Sequence, residues 1–127
     1  MKINCKEDCG NTPLKEMIRD FNIAFGKGDI RSIADKLTDN IVWEMVGDKI
    51  IEGKEKVVAE LEKMKEYTAS ELTIDHIITH GKVASCNGSF VMKEGGAKYA
   101  FCDVYDFDKS GKNARIKKMI SFGVKIE

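Results

Sequence analysis

Asp103 interrupts a row in which Tyr99, Phe101, Tyr105 and Phe107 occupy the other alternate positions. On a strand, residues two apart share a face, so the spacing sets one carboxylate among aromatic side chains. A charge there is costly unless it is hydrogen-bonded, neutralised or facing a wet cavity. In an apolar setting its proton affinity rises toward the range in which acids and bases work near neutrality. Asp103 is therefore the first candidate for proton transfer or for anchoring a ligand. His76 is the second, because it titrates near neutral pH and follows Leu72 and Ile74 at the same interval, which predicts that it shares their face. His80 lies four residues on, beside Gly81. A four-residue spacing aligns two metal ligands on a helix, not on a strand and its turn, so the pair is not read as a metal motif. Cys5 and Cys9 lack the two-residue spacing of metal knuckles, and no metal is assigned. Neither a phosphate-binding glycine motif nor a nucleotide signature is found, so the chemistry considered requires no cofactor.

These residues need elements to place them. Ala97 to Glu127 reads as two long strands joined at Asp108-Lys109-Ser110-Gly111-Lys112, with Asp103 in the first. Val83 to Lys93 is another strand, and Gly88 inside it predicts a bulge or sharp curvature. The run around His76 makes a fourth long strand. Earlier, Thr12 caps and Pro13 opens a helix to about Phe25, with Leu14, Met17, Ile18, Phe21 and Phe25 on its apolar stripe. Asp29 caps a shorter helix to about Leu37. Ile41 to Met45 is a strand that places Ile41, Trp43 and Met45 on one face, followed by a short hairpin at Gly47-Asp48-Lys49. Lys54 to about Tyr67 forms a third helix. Residues 1–11 show no period and read as a polar leader to a single domain spanning residues 1–127.

The expected fold class is α+β, with early helices packed against a curved, mainly antiparallel sheet. Between those layers, Leu14, Met17, Phe21, Trp43 and Met45 with the row around Asp103 would line an apolar pocket. Tyr99 and Phe101 are further candidate walls.

With 21 basic and 21 acidic residues among 127, the chain has no global field that favours nucleic acid or an anionic membrane surface, and neither is an expected partner. Its start carries charge and lacks an apolar run, and no segment is long and apolar enough to span a bilayer, so a cytoplasmic protein is expected. In that compartment Cys5, Cys9, Cys86 and Cys102 are expected to be reduced.

Ala24-Phe25-Gly26-Lys27-Gly28-Asp29, Leu37-Thr38-Asp39-Asn40-Ile41-Val42-Trp43, Glu52-Gly53-Lys54-Glu55 and Asp103-Val104-Tyr105-Asp106-Phe107 occur in an order that resembles the nuclear transport factor 2-like superfamily and, more narrowly, SnoaL-like proteins, which include polyketide cyclases. The resemblance covers about residues 13 to 125. It implies a cone-shaped fold, a ligand pocket and a homodimer formed through the sheet. Asp103 matches the late-strand acidic position of SnoaL-like cyclases and ketosteroid isomerases. Phe21 falls near the position of the isomerases' catalytic tyrosine, and Asn40 near that of their general base. Neither side chain can fill those roles, although neighbouring Asp39 could serve as the base if the register shifts by one; an orthodox ketosteroid isomerase is disfavoured, and Phe21 and Asn40 are assigned to ligand contact.

The combined reading is a pocket for a small apolar ligand carrying a carbonyl or hydroxyl group. Asp103 and His76 are the catalytic candidates, and Phe21, Asn40, Trp43, Met45, Tyr99 and Phe101 the ligand contacts. Isomerase, cyclase or hydrolase-like chemistry stands beside noncatalytic binding and a protein-interaction module, so the sequence leaves open whether the protein is an enzyme. The dimer is expected to cover the convex face, to which Ile77, Val91, Val104 and Met119 are assigned.

Overall fold

A computed structural model describes residues 1–6 and 10–127. Helix α1 spans Pro13–Lys27. It begins as its sequence requires: Thr12 Oγ1 accepts the Lys15 backbone N–H at 3.2 Å, and Pro13 occupies the first turn, where its missing donor costs nothing. Gly28 ends it in the left-handed region at φ 72°, a conformation glycine adopts without strain. Leu14, Ile18, Phe21 and Ala24 form its buried stripe, joined by one polar residue, Asn22.

The short helix α2, Ile30–Ala34, is capped by Asp29, and α3 spans Lys54–Met64. Seven strands follow the chain order β1 Lys2–Cys5, β2 Leu37–Met45, β3 Lys49–Glu52, β4 Ala69–His80, β5 Val83–Met92, β6 Lys98–Phe107 and β7 Ile116–Lys125. They form one sheet in the order β1-β4-β5-β6-β7-β2-β3. The central β4 to β7 meander is antiparallel, whereas β1 pairs with β4 and β2 with β7 in parallel.

The α+β class and the mainly antiparallel, curved sheet agree with the sequence reading. Two pairings go beyond it. Lys2–Cys5, within the stretch that shows no period, adds a strand along β4. β2 begins at Leu37 and joins the last strand of the chain. Residues 7–9, and with them the expectation for Cys9, lie outside the described residues. Cys5 is disulfide-bonded, which corrects the expectation of a reduced thiol there, while Cys86 and Cys102 are free.

The inner face of the sheet meets α1. Ile18, Ile41, Tyr105, Phe107 and Ile116 have no exposed surface, and burial of each such side chain contributes about 1.5 to 3 kcal/mol before its ordering cost. At Gly88, an added Cβ would run into the Thr73 carbonyl oxygen and approach Ile74 Cα at 3.1 Å. This close backbone approach adjoins a register shift in β4 between Ile74 and His76. The shift reverses the side-chain alternation: Ile77 is buried at 4% exposure and Ile78 is open at 63%. Ile77, expected on the convex face, therefore points into the core; Met119 of β7, also expected there, is buried in the core as well.

Candidate functional site

One end of the space between helices and sheet is not filled by side chains. A cavity of about 710 Å³ remains there, within the size range of small-molecule sites. Phe25 and Gly26 of α1, Ile33 of α2 and Met64 of α3 bound it on the helical side. Trp43 and Met45 from β2, Phe90 from β5, and Tyr99 and Phe101 from β6 supply the sheet side. The walls interlock: Trp43 meets the Phe25 ring edge-on at 5.7 Å, and Tyr99 stacks on Phe90 at 5.3 Å. Such pairs fix ring positions and hold the cavity open in a defined shape.

Asp103 faces this space from the middle of β6. It is half-buried because the cavity leads to solvent, while protein encloses the carboxylate on its other sides. That enclosure pushes its carboxyl up from 3.8 to about 6, against the opposing pull of hydrogen bonds from Ser121 and Tyr105. Ser121 is its cross-strand partner on β7 and accepts the Trp43 indole N–H at 2.9 Å. Tyr105, two residues along β6, donates to Asp103 Oδ2 at 3.3 Å. The Tyr105 oxygen in turn accepts from Asn22 Nδ2 at 3.1 Å. Burial, followed by the nearby Asp103 charge, holds the Tyr105 hydroxyl well above its ordinary range. The same two causes push the Cys86 thiol up to about 12. Near neutrality Asp103 is thus the member of this cluster that can exchange a proton, while Tyr105 and Cys86 remain protonated.

Residues 18–116 match the SnoaL-like domain family. The chain belongs to that family. Among solved structures, this SnoaL-like chain is similar to an NTF2-like protein of unknown function from Burkholderia xenovorans, with TM-score 0.72, 13% identity, and coverage of 91% of this chain and 85% of that one. An NTF2-like protein of unknown function from Cytophaga hutchinsonii gives 0.67 at 23% identity over 86% of this chain and 97% of that one. An LEH-like epoxide hydrolase from M. tuberculosis gives 0.71 at 20% identity over 86% and 80%. At these identities the likeness concerns the fold. No curated protein matches the sequence significantly.

The SnoaL-like fold brings together five of the residues singled out from sequence, namely Asp103, Trp43, Met45, Tyr99 and Phe101, around one cavity. Three others do not join them. His76 follows the β4 register shift onto the outer surface, where its Nδ1 lies 3.0 Å from Asn87 Oδ1. Asn40 is exposed and accepts from the Thr38 hydroxyl at 2.9 Å. Phe21 is in the packed core, 5.2 Å from Phe25 and 6.1 Å from Tyr105 between ring centres. Three site residues were missed. Ser121 depends on a cross-strand register that no local pattern fixes. Tyr105 was visible in the alternating row, and Asn22 as the polar residue four positions after Ile18 within an apolar stripe; a buried polar group needs a partner, and that was the available signal.

A second depression of about 850 Å³ lies between β4 and the start of α1 and is lined by Lys6, Lys15, Asp75 and His76, among others. Its carboxylate is already paired, with Lys6 Nζ 2.8 Å from Asp75 Oδ1. The smaller aromatic cavity, with an acid poised near neutrality, is chemically the stronger site. Among the described residues, no cluster of three or more His, Cys, Asp or Glu side chains could hold a metal ion, and no helix is long and apolar enough to cross a membrane.

Proposed function

We propose that this protein binds a compact, mainly apolar small molecule carrying a carbonyl or hydroxyl group and performs acid–base chemistry on it, with Asp103 as the proton-transfer group. The observation that carries the reading is the carboxyl of Asp103, raised to about 6 on the wall of an aromatic cavity of about 710 Å³. A carboxyl in that range is a stronger base than an exposed aspartate and is still ionised in useful amount at neutral pH. Isomerase or cyclase chemistry fits a single acid that removes a proton and returns it elsewhere. Hydrolase-like chemistry would require water as co-reactant, and the epoxide hydrolase of the same fold is the reason to include it.

The test is a screen of small carbonyl and hydroxyl compounds by thermal shift, followed by turnover measurements with the wild type and Asp103→Asn. A loss of about a hundredfold or more in turnover, with fold and binding retained, is expected for a positioned acid–base group. Full turnover in the folded variant removes Asp103 from the chemistry.

Noncatalytic binding is the second reading. Its support is that His76 and Asn40 lie outside the cavity, which leaves Asp103 without either assistant considered from sequence. A homodimer formed through the outer face of the sheet is part of the proposal. Phe122 and Val124 on β7, exposed at 45% and 62%, leave apolar surface there, beside half-buried Cys102 and Val104 of β6. For location, free Cys86 and Cys102 favour the cytoplasm, whereas the disulfide at Cys5 favours an oxidising compartment.

A further inference from the structure

The hydrogen bonds around Asp103 have directions that follow from the chemistry of their end members. The Ile18 carbonyl can only accept, so the Asn22 atom 2.9 Å from it is the amide nitrogen. The second hydrogen on that nitrogen serves Tyr105 Oη at 3.1 Å, with Cys86 Sγ more distant at 3.7 Å. Having accepted there, the Tyr105 hydroxyl has its own hydrogen left for Asp103 Oδ2 at 3.3 Å. On the other side, an indole nitrogen is a donor only. Ser121 Oγ must therefore accept from Trp43 at 2.9 Å, which leaves its hydrogen for Asp103, its partner across the strands.

We infer that Asn22–Tyr105 and Trp43–Ser121 are two positioning arms of fixed polarity that hold Asp103 as a proton acceptor, so that the cavity selects ligands presenting a hydroxyl, an enol or an acidified C–H and disfavours carboxylates. This rests on the reading of the cavity as a ligand site and adds the direction of proton flow and the ligand class. Both arms end in donors aimed at the carboxylate, and an anion is what two converging donors stabilise. The groups facing it from neighbouring elements leave that polarity intact. β5 presents the Cys86 thiol and β6 the Tyr105 hydroxyl, both kept protonated by burial. α1, β2 and β7 present the uncharged side chains of Asn22, Trp43 and Ser121. Asp48 and Lys65 also line the cavity, but both are exposed.

In the proton transfer, an O–H or C–H bond of the ligand breaks, its electron pair stays on the ligand as an oxyanion or enolate, and a new O–H bond forms on Asp103. Return of that proton to a different ligand atom completes an isomerisation that needs no co-reactant. Asn22, Tyr105, Trp43 and Ser121 act through Asp103 and need not touch the ligand.

The experiment has two arms, both on the full chain. In the first, the Asp103 carboxyl is titrated by carbon NMR in the wild type, Ser121→Ala and Tyr105→Phe, with circular dichroism to verify folding. Each substitution removes a donor and is expected to raise the titration midpoint by about one pH unit, the scale of one hydrogen bond to a charged group. A cavity merely loosened by the substitution would admit water and lower the midpoint, and a fall in both variants overturns the inference. In the second arm, 2-naphthol and 2-naphthoate, matched in size, are titrated calorimetrically between about pH 5 and about pH 8. The naphthol is expected to bind about tenfold more tightly once Asp103 is ionised, and the naphthoate to bind more tightly only as Asp103 becomes protonated. Both dependences should vanish in Asp103→Asn. Naphthol affinity that is flat or falls with rising pH overturns the inference while leaving the ligand site standing. If neither probe binds, the ligand reading and the selectivity claim fall together, and the NMR arm still decides the polarity of the arms.

Discussion

Replacing Asp103 by Asn should make the protein more stable at neutral pH relative to its stability in acid. The carboxyl titrates at about 6 in the fold and at 3.8 as an ordinary side chain. Below the lower value it is protonated both folded and unfolded, and it contributes nothing to pH dependence. Between the two values the folded state binds more protons than the unfolded one, so stability falls as pH rises; above about 6 the penalty is constant. At about 1.4 kcal/mol per pH unit the full displacement corresponds to about 3 kcal/mol, and the open cavity mouth reduces this to about 2 to 3 kcal/mol. Asn carries no such charge. Its amide oxygen can still accept from Ser121 or Tyr105, although its NH₂ fits less well among donors, and that mismatch is independent of pH. Urea denaturation of both proteins from about pH 3.5 to about pH 8, taken as the difference between wild type and variant at each pH, cancels the mismatch. The difference should swing by about 2 to 3 kcal/mol in favour of Asn, with most of the change between about pH 4 and pH 6. Parallel curves across that window would falsify the claim that Asp103 sits in a desolvated site.

Other consequences follow from single contacts. Gly88→Ala drives a Cβ into the backbone of Thr73 and Ile74; thermal melts should show a loss of about 3 kcal/mol or more, and a loss under about 1 kcal/mol would mean that the β4–β5 approach is looser than described. Tyr105→Phe leaves the second N–H of buried Asn22 with only the weaker acceptor Cys86 Sγ at 3.7 Å and should cost about 1 to 3 kcal/mol in denaturant unfolding; no loss would mean that the thiol satisfies the amide as well as the hydroxyl does. His76→Ala, on the outer surface, should change stability by less than about 0.5 kcal/mol and leave ligand affinity intact, so a large drop in affinity would return His76 to the site. For the proposed dimer, Val124→Lys places a charge on exposed apolar surface; sedimentation should show a dimer in the wild type and a monomer in the variant, and a wild type that is monomeric at every concentration ends that proposal.

What was legible in the sequence is what local spacing controls. Thr12-Pro13, Gly28 and the Leu14, Ile18, Phe21 stripe fix α1, and alternation from Tyr99 to Phe107 places Asp103 among aromatic residues on the inner face. Trp43 and Met45 reach the same cavity because an uninterrupted two-residue period carries them there. Where the period breaks, the inference breaks with it. One register shift between Ile74 and His76 sends a correctly recognised strand residue to the wrong face, since a slip of one residue exchanges the two sides of a strand. Gly88 marked a break in β5, but its consequence fell on the facing strand, where the Thr73 carbonyl comes close. The same limit governs the polar network. Ser121 meets Asp103 through the β6–β7 register, and Trp43 meets Ser121 because β2 lies parallel to β7, a pairing between segments about eighty residues apart in the chain. The candidate acid is therefore a local property of β6, whereas the direction in which it moves a proton is set by contacts that exist only once the first helix and the last strand have closed around it.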